Sequence, residues 1–234
     1  MLAIFLCSML LIDGDIICYR TCFSREAETL SDMKRVADGY VQSIRSSADP
    51  EIKDYTVFLT GKGNYRKDIA VTKEYKGNRT AEKPGHLDDI RAHMLTAHPS
   101  DLSEGEEADD RIAIEATARG FNSIICSIDK DFDQVPGWHY NFVKHERYFV
   151  TSKEATLNFY CQILTGDRID NIVGVHGIGP KKAAGHLKGL GTEAKMYAAC
   201  VELLGSPERA LENARLLWLR RFPNQVWQPP SEAL

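Results

Sequence analysis

The run Leu10-Leu11-Ile12 stops on Asp13, and Ile124-Ile125-Cys126 leads in the same way to Asp129. Apolar runs this short are the mark of strands buried on both faces, as in a parallel sheet. Between them the spacing changes. Leu30, Met33, Ala37, Tyr40, Val41 and Ile44 recur at helical intervals within residues 24–46. Tyr55–Leu59 reads as a second strand, followed by a loop at Gly61-Lys62-Gly63-Asn64. A helix near His86–Ala97 carries Leu87, Ile90, Arg91 and Met94 on one face, and Pro99–Gly105 reads as a loop. Another helix, from about Glu106 to Arg119, feeds the third strand, Ser123–Ile128, and stops at Gly120. Strands alternating with helices give an α/β domain with a mainly parallel sheet, assigned to residues 1–150.

The first strand lies at the end of the apolar stretch Met1–Ile12, which contains no basic residue. That stretch is too short to span a bilayer, and a strand ending in a carboxylate fits it better than a secretory leader. Met9 is an alternative start that keeps the strand core. Six cysteines, Cys7, Cys18, Cys22, Cys126, Cys161 and Cys200, show no CxxC spacing. They read as buried reduced thiols of a cytoplasmic protein, not as a zinc site.

After residue 150 the pattern becomes helical. Thr151 and Glu154 form a capping box that opens a helix to Leu164, closed by Gly166. Pro180 suits the first position of a helix through Leu187. Further helices are expected at Glu193–Leu204 and Glu208–Arg221, with no strands. Residues 151–234 therefore read as a helical second domain.

The net charge of −4 argues at first against a nucleic-acid partner. The acids are clustered, however: Asp13, Glu107, Asp109, Asp110, Asp129, Asp131, Asp167 and Asp170 stand in a few short segments. Setting them aside leaves the remaining chain basic. In open α/β sheets, sites form at the carboxyl ends of strands. Asp13 follows the first strand, Asp129 and Asp131 follow the third, and Glu107, Asp109 and Asp110 start the helix that feeds the third. Like charges this close need neutralising, and hard oxygen ligands suit Mg²⁺ or Mn²⁺. Two such ions could activate a water and stabilise a leaving phosphodiester oxygen. Taken singly, each acid is equally well a helix-terminal charge or a strand end. The joint pattern favours metal. The turn Gly174-Val175-His176-Gly177-Ile178-Gly179, followed by Pro180-Lys181-Lys182, offers backbone N–H groups and two cations to phosphate, or simply caps a helix.

Five segments, in this order, resemble the 5′-nuclease family of flap endonucleases, the 5′-nuclease domain of bacterial DNA polymerase I and bacteriophage 5′→3′ exonucleases. They are Ile12–Asp15, Glu74–Arg79, Glu106–Asp110, Ser127–Asp131, and Gly166–Ile172 with the glycine turn after it. The resemblance implies a PIN-like nuclease fold with a C-terminal helix–three-turn–helix domain, and a 5′→3′ exonuclease or structure-specific 5′-nuclease. It implies that Asp13, Glu107 and Asp109 hold a first metal, and that Asp110, Asp129, Asp131, Asp167 and Asp170 form a second group. It implies that Lys76 and Arg79 grip the scissile phosphate and that Tyr75 stacks on the terminal base. The turn containing Gly174, Val175, Gly177, Ile178 and Gly179, with Lys181 and Lys182, is implied to hold the duplex backbone, with K⁺ bound by its carbonyls. The implied partner is DNA with a 5′ end, nick or flap, RNA–DNA hybrids being tolerated. No membrane contact is expected, and the protein is expected to be a monomer in the cytoplasm (the host's, if it comes from a phage).

The chain departs from the family in two places. Family members carry an aspartate after the second strand; here Gly61, or Thr60 if the register slips, stands in its place. Asp15 is a candidate remedy: if the first strand continues, Asp13 and Asp15 share a face and Asp15 supports the first metal. Equally, Asp15 caps the following helix. The loss at Gly61 also keeps open an inactive module that holds branched DNA. The second departure is the short interval between Arg79 and Glu106, which leaves little room for the family's helical arch. Exonuclease action is therefore expected to exceed cleavage of long flaps.

Overall fold

The computed structural model describes residues 8–231. Met1–Cys7, and with them the expectation for the Cys7 thiol, lie outside the described residues. Strand β1 (Met9–Asp13) sits inside a six-stranded sheet with β2 (Asp54–Thr60), β3 (Ser100–Ser103), β4 (Ser123–Cys126), β5 (Gly137–Asn141) and β6 (Glu146–Val150). The order is β3-β2-β1-β4-β5-β6, parallel except for the β5–β6 hairpin. The α/β expectation holds, with the antiparallel edge added. Three strands of this sheet go beyond what the sequence pattern predicts. β3 is Ser-Asp-Leu-Ser, with too little apolar content to signal a strand; it forms because Pro99–Ser103 has β2 to pair with. β5 and β6 owe their pairing to aromatic contacts across the hairpin, such as Trp138 with Phe149 and His139 with Tyr148.

Alternate residues of β1 serve opposite faces. Leu10 and Ile12 join a core with Ile17, Val41, Ile44, Ile90 and Met94. These come from α1 (Gly14–Cys22), α2 (Leu30–Ser47) and α4 (Leu87–Ala97). Leu11 packs on the other face with Phe58, Ile125 and α5 (Ala108–Arg119). The short α3 (Arg66–Ile69) lies between β2 and α4 in sequence.

Helix α1 shows why β1 ends where it does. A Cβ on Gly14 would lie 2.6 Å from Val57 Cγ1 and 2.7 Å from the Phe58 carbonyl oxygen. The bare glycine lets the chain turn into a helix directly against β2, with Asp13 as its N-cap. The strand does not continue, so Asp13 and Asp15 do not share a strand face. The cap is Asp13, and Asp15 sits in the first helical turn.

Beyond residue 150, α6 (Ser152–Thr165), α7 (Pro180–Leu187), α8 (Glu193–Leu204) and α9 (Pro207–Leu217) enclose a separate core around Phe159, Tyr160, Leu187 and Tyr197. The capping box at Thr151 and the Gly166 stop form as expected. Two features differ. A two-stranded ladder, β7 (Gly166–Asp167) with β8 (Ile172–Val173), interrupts the helices. Helix α9 ends at Leu217, short of Arg221, because the backbone beyond it has other partners. The Trp218 carbonyl accepts from Arg66 Nη2 (2.9 Å), and Leu219 N donates to Gln134 Oε1 (2.9 Å). All five cysteines among the described residues are free thiols, and Cys18, Cys126 and Cys200 are buried. No helix among the described residues is long and apolar enough to cross a membrane.

Candidate active site

The carboxyl ends of β1 and β4, the start of α5 and the β7–β8 turn bring the acidic segments to one edge. Asp13 is buried; its Oδ1 accepts from Ile16 N (3.2 Å) and its Oδ2 from Ser127 Oγ (2.7 Å). Burial, then the charge of Asp15, pushes its carboxyl up to about 7 despite those hydrogen bonds. Asp109 is different: it has no hydrogen-bond donor among the described residues. Desolvation, then the charges of Asp13, Glu107, Asp129 and Asp15, hold it well above the usual carboxylate range. An acceptor-only group in such company calls for a cation.

A second group adjoins the first. Burial and the charges of Asp129, Asp167 and Asp170 push Asp131 up to about 7, although Gln162 Nε2 donates to it at 2.7 Å. Burial is also the main cause that raises Asp129, with Asp167 and Asp170 adding to it. Asp167 closes its own turn, its Oδ1 accepting from Ile169 N (2.6 Å) and Asp170 N (3.1 Å).

Asp110 is committed elsewhere, touching the first group only where its Oδ2 accepts from Glu107 N (3.3 Å). It is fully buried and paired with both guanidinium nitrogens of Arg66, at 2.5 and 2.9 Å, and also accepts from Arg220 N (3.1 Å). Its place is in a buried ion pair tying α3 and the 218–220 segment to α5, not beside the other second-group aspartates. Arg66 gave no sequence signal, because a buried arginine cannot be told from a surface one without its partner.

The Tyr75–Arg79 segment lies over Glu107 and Asp170. The Tyr75 hydroxyl donates to Glu107 Oε2 (2.8 Å) and Asp170 Oδ2 (2.7 Å). Its ring is buried in the helical core, so it offers no face to a base, contrary to the stacking role expected of it. Burial, then the Glu107 charge, raises its hydroxyl far above the ordinary tyrosine value, which keeps the donor proton in place. Lys76 adopts a left-handed backbone (φ 58°), its N–H donating to the Asp170 carbonyl at 3.0 Å. Its ammonium pairs with Glu107 and stands 3.6 Å from Asp170, while Arg79 reaches Asp170 at 2.8 Å. Asn78 and Asn171 staple the two segments together through the Arg168 and Glu74 carbonyls. Asp15 is engaged as well: Arg91 pairs with it and with the Thr60 carbonyl, and Thr60 N donates to it at 3.0 Å. Among the described residues no group of three or more His, Cys, Asp or Glu stands ready to hold a metal ion. Apart from Asp109, these side chains turn instead to protein donors and cations.

Gly61 bears no ligand and could not. A Cβ there would lie 2.0 Å from the Ser103 carbonyl oxygen. At the glycine turn, a Cβ on Gly174 would lie 2.2 Å from the Thr165 carbonyl, and Gly177 has φ +76°. Val175 and Ile178 pack on the helical core, and Gly179 is the N-cap of α7. Lys181 and Lys182 are exposed on its first turn, Lys182 donating to the Gly177 carbonyl at 2.9 Å.

No protein-family model matches the chain. It is 28% identical to DNA polymerase I of Pseudomonas aeruginosa over 88% of its own length and 24% of that protein's. It is 33% identical to flap endonuclease Xni of Shewanella piezotolerans over 52% of each chain. The chain thus spans about a quarter of the polymerase relatives and about half of the flap endonuclease. Among solved structures, T5 5′-exonuclease with bound zinc superposes with a TM-score of 0.70 at 21% identity, covering 89% of this chain and 88% of that one. The catalytic core of Rad2 bound to a DNA substrate gives 0.54 at 14% identity, covering 82% and 64%. Sequence and fold agree on one resemblance, to the 5′-nuclease family with its PIN-like sheet.

Proposed function

We propose that the chain is a metal-dependent 5′-nuclease that hydrolyses phosphodiester bonds in DNA at or near a 5′ end. The observation that carries this is Asp109, a carboxylate with no donor among the described residues, in the company of Asp13, Glu107, Asp129 and Asp15 at the carboxyl edge of the parallel strands. Asp13, Glu107 and Asp109 would hold one divalent ion, and Asp129, Asp131, Asp167 and Asp170 a second. Mg²⁺ or Mn²⁺ there would supply a more acidic water and charge for the leaving oxygen. Tyr75 positions Glu107 and Asp170 through its hydroxyl. Lys76 and Arg79, now paired with those two acids, are placed to take the scissile phosphate once the acids are neutralised, and to stabilise its developing charge.

The helical part from residue 151 serves as the duplex-holding domain. The Gly174–Gly179 turn, with Lys181 and Lys182, meets the backbone, which favours no base sequence and tolerates RNA in a hybrid. K⁺ would use the same carbonyls, that of Gly177 being taken by Lys182 here. Residues 80–86 form no helix, so α4 and β3 are the only regular elements between Arg79 and Glu107. This supports action at 5′ ends over cutting at long flaps. The protein works as a monomer in the cytoplasm.

The test is incubation of 5′-labelled duplex, flap and hybrid substrates with Mg²⁺, Mn²⁺ or EDTA. Short 5′ products that require the ion support the proposal. A second reading, a module that holds branched DNA without cutting, is favoured by Gly61 alone. Binding without cleavage at every ion concentration would establish it.

A further inference from the structure

We propose that Arg91 sets how tightly the first carboxylate group holds its divalent ion, by withholding Asp15 from it. The inference rests on the reading that this group binds such an ion. Asp15 is close enough for its charge to act on both Asp13 and Asp109. It also adjoins that group in space, since Thr60, whose N–H donates to Asp15, accepts through its hydroxyl from Ala108 N, between Glu107 and Asp109. Both its oxygens are engaged, Oδ1 by the Arg91 guanidinium and Oδ2 by Thr60 N at 3.0 Å.

Arg91 closes the knot by donating its other terminal nitrogen to the Thr60 carbonyl. The Thr60 hydroxyl accepts from Ala108 N (2.9 Å), next to Glu107 and Asp109. The neighbouring position cannot contribute, since Gly61 has no room for a side chain. Arg91 is also held from behind. Its helix is anchored to α2 by His93, which with His98 reaches the same oxygen of Asp38, at 2.8 and 2.9 Å. The guanidinium is thus presented by a fixed element with little freedom, its side chain 21% exposed.

Two effects follow, both weakening the ion. One ligand is engaged elsewhere, and a fixed positive charge stands beside a site for cations. A planar guanidinium can span Asp15 and the Thr60 carbonyl together, whereas an ammonium is a point charge.

The experiment is a Mn²⁺ titration of metal-free protein, reading free Mn²⁺ by electron paramagnetic resonance, without any substrate. Arg91→Gln is expected to tighten the site lost in Asp109→Asn on the order of tenfold. Arg91→Lys, the milder change should Arg91→Gln fold poorly, is expected to tighten it less. In an Asp15→Asn background the gain from Arg91→Gln is expected to shrink, because no carboxylate is left to release. No gain, a weaker site, or an equal gain with and without Asp15 would overturn the proposal. If wild type and Asp109→Asn bind Mn²⁺ alike, the site itself is not the ion site, a failure of the underlying reading that this titration separates from the role of Arg91.

Discussion

Asp109 and Asp110 are adjacent on the first turn of one helix and do opposite things. Asp109 has no donor among the described residues and sits among like charges, while Asp110 is locked to Arg66 in the interior. Their amide variants should therefore separate. Asp109→Asn removes a repelled charge, so the metal-free protein should keep its stability or gain about 1 kcal/mol, while divalent-ion binding and cleavage are lost. Asp110→Asn takes from a buried guanidinium its closer counter-charge and leaves it only Glu107, 3.6 Å away, which costs up to about 3–5 kcal/mol. Urea unfolding with a common slope measures both. Equal stability losses in the two variants would show that Asp109 is also structural.

At the scale of elements, the second strand meets β3 at Gly61, where backbone approaches backbone too closely for any side chain. Restoring the family's aspartate by Gly61→Asp should not tighten ion binding. It should push β3 away at a cost of about 1–3 kcal/mol, visible as a lower urea midpoint. A stable variant with a tighter Mn²⁺ site would show that β3 yields easily. The sequence announced that a carboxylate was absent there but not why, because β3 itself was invisible in Ser-Asp-Leu-Ser. Elements with a period and a cap were legible: α6 from its capping box, α7 from Pro180, the end of α5 from Gly120. Those formed by a partner were not, including the β5–β6 edge and the peeling of residues 218–221 from α9. The same holds within the site. The acids were legible by type and order, whereas the pairing of Asp110 with Arg66, the burial of Tyr75 and the engagement of Asp15 depend on residues far away in sequence. Arg91 had left a trace, as a charge on an otherwise apolar helix face.

Across the whole molecule, the clustered acids make stability depend on pH and on divalent ions together. Asp13 and Asp131 are raised from 3.8 to about 7, chiefly by burial and then by neighbouring carboxylates, and Asp109 and Asp129 move the same way. Below about pH 4 these groups are protonated in both folded and unfolded chains, and their share of stability is fully present. Above about pH 4 the unfolded chain releases its protons while the folded chain keeps them. The unfolded state then binds fewer protons, so stability falls as pH rises, and the share of Asp13 and Asp131 is lost by about pH 7. The loss from even one such group is a sizeable share of the roughly 5–15 kcal/mol of a typical domain. A divalent ion that binds only the folded, ionised site should reverse it, by RT ln(1 + [ion]/Kd). Metal-free protein is therefore expected to melt at a lower temperature at pH 8 than at pH 5.5. Millimolar Mn²⁺ should raise the melting temperature at pH 8 but scarcely at pH 5.5, where protons occupy the ligands. Scanning calorimetry at the two pH values, with and without the ion, measures this. A melting temperature that climbs steadily from pH 5.5 to pH 8 without metal, or an ion effect equal at both, would mean that these carboxylates are not held together as described.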